Sequence, residues 1–299
     1  MRQGRAVVMV LAAAVLWGTT GTSRALGAPI AAPLAVGAVR IVIGGAILFA
    51  LAAARGQLWR RWPALPAVAS AAAVAAYQLA FFEGVARAGV AVGTILAIGS
   101  APVFTGLLGW LALGERPSSR WLVATVIAVI GVGLLAEPGV RGFGPLAAAL
   151  PLAAGLSYAT YATATKRLLA DGDNVAVAAI AFAGGAVLLL PALVFADLSW
   201  LREARGLAAA LWLGVGTTAV AYLIFTRALA RLPVSWGATL SLAEPLTATV
   251  LATFVLGESL AGRSSSSRSP SSPAALRMSA RSFAIPRPSS RHRRTHRTR

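Results

Sequence analysis

Nine long apolar runs, separated by short polar breaks, most constrain what this chain can fold into. A helix that crosses the hydrocarbon core of a bilayer needs about 20 predominantly apolar residues. Inside that core each backbone N–H and C=O must be paired within the segment, and a helix meets this requirement. Hydrophobic residues make up 58% of the sequence and charged residues 12%, against about 45–50% and about 25% in soluble domains. The pattern predicts an all-α integral membrane protein.

The polar breaks between the runs are short, so consecutive helices are expected to run antiparallel. The predicted spans are Ala6–Ala25, Pro33–Ala54, Ala64–Ala86, Gly89–Leu113, Trp121–Ala136, Gly144–Thr165, Val175–Ala196, Leu207–Leu229 and Val234–Leu256.

Positive charge is unevenly divided between the two sets of loops. The N-terminus and the even-numbered loops hold eleven basic residues: Arg2, Arg5, Arg55, Arg60, Arg61, Arg116, Arg120, Lys166, Arg167, Arg227 and Arg231. The odd-numbered loops hold six: Arg24, Arg87, Arg141, Arg202, Arg205 and Arg263. Because basic loops stay on the cytoplasmic side, the sequence predicts a multi-pass protein of the cell membrane with a cytoplasmic N-terminus.

The residue inventory disfavours several kinds of enzyme. Cysteine is absent, and both histidines, His292 and His296, lie in the C-terminal tail. Thiolate or imidazole chemistry within the spans is therefore ruled out. Gly214–Ala219 fits a dinucleotide-binding pattern but lies inside a predicted helix, and Lys166 follows no glycine-rich loop. We expect a non-enzyme without a cofactor or metal.

The net charge of +18 comes largely from the tail. Residues 263–299 hold ten arginines and no acidic residue, which leaves 18 − 10 = +8 for the body. Short cytoplasmic loops account for such an excess, so no nucleic-acid partner is expected for the body.

An internal repeat relates the fourth and ninth spans. The segment that ends at Glu115 aligns without gaps to the one that ends at Glu258, and Pro102 meets Pro245 at the same offset of 143 residues. A repeat unit of five helices, an odd number, makes the second copy enter the membrane from the opposite side. Inverted repeats of this kind are typical of secondary transporters, whose site lies near the midplane between the halves.

Several short motifs resemble the EamA-like group of the drug/metabolite transporter superfamily. They are Trp17-Gly18-Thr19, Arg40, Ser100-Ala101-Pro102, Leu113-Gly114-Glu115, Arg227-Ala228-Leu229, Glu244-Pro245 and Leu256-Gly257-Glu258. The resemblance covers residues 5–260. It implies ten helices in two inverted five-helix bundles, cytoplasmic termini, and export of amino acids, related metabolites or drugs.

The sequence departs from that resemblance after Gly262, where a Ser- and Arg-rich tail replaces the implied tenth helix. We therefore predict a first repeat at residues 1–140 with five helices, a second at 141–262 with four, and a tail at 263–299. The tail is interpreted as a shifted reading frame, a disordered segment, or an arginine-rich contact for nucleic acid or anionic lipid.

Two charged residues within the spans are candidates for the transport site. Glu244 lies about ten residues into the ninth span, roughly 15 Å deep, where a carboxyl group needs a cavity, a partner or a proton. We consider proton coupling, recognition of a cationic substrate group, or a structural hydrogen bond near Pro245. Arg40 lies roughly 10 Å below the surface in the second span. It is a counter-charge for Glu244 or a substrate carboxylate, unless it extends to the headgroups.

Aromatic and amide side chains within the spans suggest a lining for amphipathic substrates. The candidates are Trp17, Tyr77, Gln78, Tyr158 and Tyr222. Interfacial anchoring is the alternative for the aromatic residues.

Other features are assigned structural roles. Pro102 and Pro245 are predicted helix kinks, and Glu83 is expected to pair with Arg87 four residues later. Gly44-Gly45 and Gly184-Gly185 are expected to allow close helix packing. Glu115 and Glu258 follow helix C-termini, where a carboxylate needs another partner, and Arg116 or Arg120 is expected to pair with Glu115.

These features together predict a secondary transporter, an exporter of small metabolites by alternating access. A membrane-embedded lipid-processing enzyme and a truncated, non-functional transporter are the alternatives.

Overall fold

The computed structural model describes residues 2–58, 61–134 and 144–257, and within these ranges the regular secondary structure is entirely helical. The helices are α1 Arg2–Gly27, α2 Pro33–Ala54, α3 Ala64–Ala88, α4 Val90–Leu113, α5 Ser119–Leu134, α6 Pro145–Leu168, α7 Asn174–Val194, α8 Ala204–Gly214, α9 Ala221–Leu229, α10 Val234–Ser241 and α11 Ala243–Val255. A 3₁₀ turn, Ser199–Arg202, precedes α8, and a π-helix, Val215–Val220, joins α8 to α9.

Seven helical segments of the described chain are both long and apolar enough to cross a membrane. They are α1 to α4, α7, the continuous segment Ala204–Leu229 and the segment Val234–Val255. The all-α membrane fold is therefore confirmed. Helix α6 has 24 residues, which is long enough to span, but hydroxyl-bearing residues crowd its second half. Ser119–Gly131 of α5 forms a shorter apolar helix.

Two predicted spans are interrupted rather than regular. In the eighth, Thr217 and Thr218 both donate their hydroxyl hydrogen to the Leu213 carbonyl, at 2.7 and 2.9 Å, where the π-helix begins. In the ninth, α10 stops at Ser241 and α11 starts at Ala243. Pro245 has no N–H to return to the Ser241 carbonyl, which explains the break at that point. In contrast, α4 runs through Pro102 without interruption.

One membrane face is identified by a polar cluster at helix ends. Lys166, near the end of α6, donates to the carbonyl of Leu229 at the end of α9. Glu115, just after α4, accepts a hydrogen bond from the backbone N–H of Val234 at the start of α10. The ends of α4, α6 and α9 therefore lie together, on what we call the Glu115 face.

Helix α1 ends at the opposite face. Since the segment containing α8 and α9 finishes at the Glu115 face, α8 begins on the other side of the bundle. Gly27, the last residue of α1, packs directly against the Arg205 carbonyl and Ala209 near the start of α8. We name this side the Arg24 face, after the basic residue in the last turn of α1. Helices α1 and α6, the first of each repeat, thus run in opposite directions.

The helix contacts repeat with the same inverted symmetry. Helix α3 packs on α6, and its counterpart, α8–α9, packs on α1. Helix α4 packs on α6, while α11 and α10 pack on α1. The contact between α2 and α7, the second helix of each half, maps onto itself. The two repeats therefore interlock around a common centre.

Paired glycines allow the central helices to approach closely, as predicted. Gly44 lies against the Thr218 side chain and the Gly214 carbonyl, so α2 contacts the π-helix region directly. Gly45 lies against the backbone carbonyl of Phe182 in α7. A Cβ atom on Gly45 would be only 2.6 Å from that oxygen. Close packing at small residues is a main source of helix association in lipid.

We predict that Gly45→Ala lowers the stability of the bundle, because the added methyl group meets backbone rather than a movable side chain. Overpacking of this kind costs about 1–3 kcal/mol. Thermal unfolding of the purified protein in detergent measures the effect. Gly131→Ala in α5 is the matched control, since a Cβ there meets nothing within 4 Å. Equal thermal midpoints for the two variants would contradict the assignment.

A candidate binding cavity between the repeats

A cavity of about 330 Å³ lies between the two repeats. Helices α1 to α4 of the first repeat line it together with α6, α7, α9, α10 and α11 of the second. Its volume falls at the lower end of the range of about 300–1,000 Å³ found for small-molecule sites.

The cavity extends from the centre of the bundle toward the Arg24 face. Its walls include Arg24 in the last turn of α1, Pro33 at the start of α2, Val85 near the end of α3 and Thr94 in the first turns of α4. All four positions belong to the Arg24 face. At the other end the cavity stops at Ala238, one helical turn inside the Glu115 face.

Two opposite charges border the cavity without joining each other. Arg40 projects from the second turn of α2, and Glu244 from the first turn of α11, directly after the break at Leu242. Within the described ranges no ion pair within 4.0 Å links them. The Arg40 Nε atom is buried and has no hydrogen-bond partner among the described residues. Direct contact between the two side chains therefore does not neutralise either charge.

Gly18 explains how Glu244 comes to lie beside α1. A Cβ atom at Gly18 would be 2.6 Å from Cβ of Thr247 and 3.0 Å from the Glu244 carbonyl oxygen. Only glycine permits this approach of α11 to α1. The Trp17-Gly18 pair thus places an aromatic ring at the cavity and allows the carboxyl-bearing helix to approach it.

Aromatic rings form one wall of the cavity. The ring centroid of Trp17 lies 4.9 Å from that of Tyr222, and the ring centroids of Tyr222 and Phe182 are 4.1 Å apart. Tyr161 meets Tyr222 edge to face at 5.8 Å. On the first-repeat side, Tyr77 stacks on Phe81 at 5.5 Å. Such a wall favours apolar or aromatic groups in a ligand.

Several polar atoms around the cavity have unused hydrogen-bonding capacity. Oε1 of Gln78 and Nε1 of Trp17 are buried without a partner among the described residues. Tyr158 instead donates its hydroxyl hydrogen to Oγ of Ser241 at 3.2 Å, because Ser241 donates its own to the Gly237 carbonyl at 2.9 Å. Buried polar groups are normally hydrogen-bonded, so the unpaired acceptor and donor suit a polar ligand.

The structure brings the seven residues predicted to bind substrate or couple transport to this cavity, whereas the predicted kink residues Pro102 and Pro245 are not among its lining residues. Its walls include Glu244, Arg40, Gln78, Trp17, Tyr77, Tyr158 and Tyr222. Their functional roles stay predictions. No hydrogen bond to the Glu244 carboxyl group occurs within the described part of the chain, which leaves the structural alternative for that residue without support there.

Sequence reasoning missed several lining residues. Phe182 and Phe81 border the cavity, but nothing in the sequence separates such residues from an ordinary apolar core. Ser241 was detectable, because it precedes Glu244 by three residues and so shares its helical face. Phe82, which aligns with Phe225 at the same offset of 143 residues, also lines the cavity.

The charged pairs predicted outside the cavity had mixed outcomes. The Glu83–Arg87 pair is confirmed, with an N···O distance of 2.6 Å. The expected pairing of Glu115 with Arg116 or Arg120 is wrong. Glu115 instead lies 3.7 Å from Lys166 and accepts the Val234 N–H at 2.8 Å. The fold brings α6 and α10 to the end of α4, which local sequence cannot reveal. Glu258 and the tail lie outside the described residues.

Comparison with known proteins identifies the fold and the family. The model of the EamA-like transporter family matches residues 4–136 and again residues 145–264. The chain belongs to the EamA-like transporter family. It is 42% identical over 255 residues to the "Uncharacterized transporter YwfM" of Bacillus subtilis, covering 85% of this chain and 86% of that protein. The relatives are named as transporters rather than enzymes, so at the family level this EamA-like chain is a membrane transporter.

One further relative and one solved structure are also similar to this chain. A "Probable terminal-alkyne amino-acid exporter" of Streptantibioticus cattleyicolor is 34% identical over 220 residues, covering 70% of this chain and 72% of that protein. A solved crystal structure superposes with a TM-score of 0.72 at 24% identity, covering 84% of this chain and 88% of that one. The latter likeness concerns the fold alone.

The position of the cavity mouth yields a labelling prediction. The sequence predicts a cytoplasmic N-terminus, which would place the Arg24 face outside the cell. In Thr94→Cys the thiol borders the cavity near that face, so we expect a membrane-impermeant maleimide to modify it in intact cells. Thr165→Cys is the matched control, because Thr165 is fully buried near the Glu115 face. Since the chain has no native cysteine, each signal reports one position. We expect roughly tenfold faster modification of the first variant, because thiol modification requires access; the reverse order would contradict this geometry and sidedness.

Proposed function

We propose that this protein is a secondary exporter of small zwitterionic, partly apolar metabolites such as amino acids and related compounds. This proposal rests on one observation: Arg40 and Glu244 border the same central cavity, and no ion pair joins them within the described residues. A substrate with both a carboxylate and an ammonium group complements this pair of charges. In this proposal Arg40 binds the carboxylate of the substrate, and Glu244 binds its ammonium group.

The cost of desolvation supports this division of roles. A charged side chain in the hydrocarbon region is expensive unless it faces a cavity or a partner. A zwitterion that binds between Arg40 and Glu244 supplies each with its missing partner. Gln78 and Trp17 add one acceptor and one donor beside the two charges.

The aromatic wall supports an apolar portion in the substrate. Trp17, Tyr222 and Phe182 lie in contact on one side of the cavity. An aliphatic or aromatic substituent would bury its surface against them. One relative is named as a probable exporter of a terminal-alkyne amino acid. An amino acid of that kind has two charged groups and an apolar side chain, as the proposed substrate class does.

The inverted symmetry of the helices supports transport by alternating access. The cavity lies where the repeats interlock, and it reaches only the Arg24 face in the described conformation. Rocking of α3, α4 and α6, which pack together, against α1 and α8–α11 would close that side and open the Glu115 face. In this proposal the Arg24 face is extracytoplasmic, the N-terminus lies in the cytoplasm of the cell, and Glu244 couples transport to protons when no substrate ammonium is bound.

We expect Glu244→Gln to reduce transport of zwitterionic substrates roughly 10–100-fold, because a charge-assisted hydrogen bond is worth about 1.5–3 kcal/mol. Counterflow of labelled amino acids in proteoliposomes measures the rate. Glu83→Gln is the matched control, since Glu83 is half-exposed and pairs with Arg87 away from the cavity. We expect the control to transport at the parental rate.

A second pair of measurements tests which charge binds which group. Arg40→Gln should lose discrimination between an amino acid and its methyl ester, whereas Glu244→Gln should lose discrimination between an amino acid and its deaminated analogue. Equal transport by Glu244→Gln and the parent across an amino-acid panel and at each pH would refute the assignment of Glu244.

A further inference from the structure

We propose that Glu115 and Lys166 form a latch that holds the Glu115 face closed while the cavity is open to the Arg24 face. The inference rests on the proposed alternating-access function and adds a named gate to it. The latch residues do not line the cavity, so they act on its access rather than on substrate recognition.

The latch ties four helix ends together through four contacts, because it joins the ends of α4, α6 and α9 and the start of α10. Lys166 Nζ donates to the carbonyl oxygens of Leu229, at 2.7 Å, and Leu232, at 2.8 Å. The same ammonium group lies 3.7 Å from Oε1 of Glu115. The other carboxylate oxygen of Glu115 accepts the N–H of Val234 at 2.8 Å.

Each charge meets the helix end that it stabilises. The Lys166 ammonium group caps the carbonyl-rich C-terminus of α9, and the Glu115 carboxylate caps the first N–H group of α10. Cations are favourable at helix C-termini and anions at helix N-termini. The turn between α9 and α10 is therefore held from both sides by residues of other helices.

The latch joins the two repeats. Glu115 belongs to the first, whereas Lys166, Leu229 and Val234 belong to the second, as the family match divides the chain. A neighbouring contact holds α6 against α4, because Arg167 donates to the Ala112 carbonyl at 3.1 Å. Separation of α4 and α6 from the turn between α9 and α10 must break the bonds of Lys166 to Leu229 and Leu232 and of Glu115 to Val234.

Packing beneath the latch seals the floor of the cavity. Gly109 of α4 lies directly against the side chain of Val234, and a Cβ atom there would be 2.7 Å from Val234 Cγ2. Ala238, one turn further along α10, already borders the cavity. Separation of α4 from the start of α10 would therefore connect the cavity to the Glu115 face.

Partial exposure makes the latch reversible. The side chains of Lys166 and Glu115 are 22% and 21% exposed, respectively. Water can replace their partners when the helices separate, so neither charge is stranded in lipid. At the opposite face the terminal basic residue of α1, Arg24, instead donates to Ala31 in the adjacent turn, at 3.0 Å. That bond stays within the first repeat.

A cysteine at the floor of the cavity tests the latch without knowledge of the substrate. Ala238→Cys introduces one thiol into a cysteine-free chain. Its modification by an impermeant maleimide is measured separately from each side, in right-side-out and inside-out vesicles. With the latch intact we expect slow modification, chiefly from the Arg24 face, because Ala238 borders the cavity but is only 2% exposed.

In the Ala238→Cys background, Glu115→Gln and Lys166→Met should shift labelling in opposite directions at the two faces. We expect a rise of roughly tenfold from the Glu115 face and a corresponding fall from the Arg24 face, because a charge-assisted contact is lost. Arg116→Met is the matched control, since Arg116 is exposed and adjacent to Glu115. Lys166→Arg should restore the parental pattern in part.

Two results would overturn the latch. Unchanged labelling in both variants would show that the contacts do not restrain the gate. A simultaneous rise from both faces, with a lower thermal midpoint, would show a purely structural role. The labelling experiment needs no substrate. If the parent protein did not transport zwitterionic amino acids, the proposed substrate class would be refuted, but the labelling result would still test the latch.

Discussion

The cost of placing a charge in hydrocarbon organises this protein. Arg40 and Glu244 lie within membrane-spanning segments, and an ionised group at that depth needs water, a partner or a cavity. The interlocked repeats meet this requirement by placing both residues on the wall of one cavity. Aromatic side chains from both halves then complete the walls around them. Under the proposed function, substrate selectivity and cavity formation would arise from the same constraint.

Inverted symmetry accounts for the scaffold, and the proposed site residue Glu244 lies where the two repeats depart from symmetry. The contacts of α3 and α4 with α6 are repeated by those of α8–α9 and α11 with α1. Glu244, however, occupies the position that Ala101 holds in the first repeat at the offset of 143 residues. The ninth span is also broken at Leu242, while α4 is continuous through Pro102. The carboxylate thus lies on the one copy whose backbone is interrupted beside the cavity.

Apolar runs predicted the helices well because length and hydropathy are local properties. The bounds of α2 agree with the predicted span, and those of α4 differ by one residue at the start. The π-helix before α9 was not predicted, because it depends on how Thr217 and Thr218 bond to Leu213 and how Gly44 packs against Thr218. The partner of Glu115 was also missed, since Lys166 and Val234 approach it only after the repeats interlock.

The sequence by itself determined that this chain lies in a lipid bilayer and gave the order of its apolar segments. It also determined their inverted duplication and which polar residues lie at membrane depth. These follow from composition and from the spacing of residues along a helix. Only the tertiary structure decided that seven candidate residues face the same cavity and that this cavity ends one turn from the Glu115–Lys166 contact. The reason is physical: helix rotation and mutual approach are set by close contacts at residues such as Gly18 and Gly45, and hydropathy does not encode which neighbour each will meet.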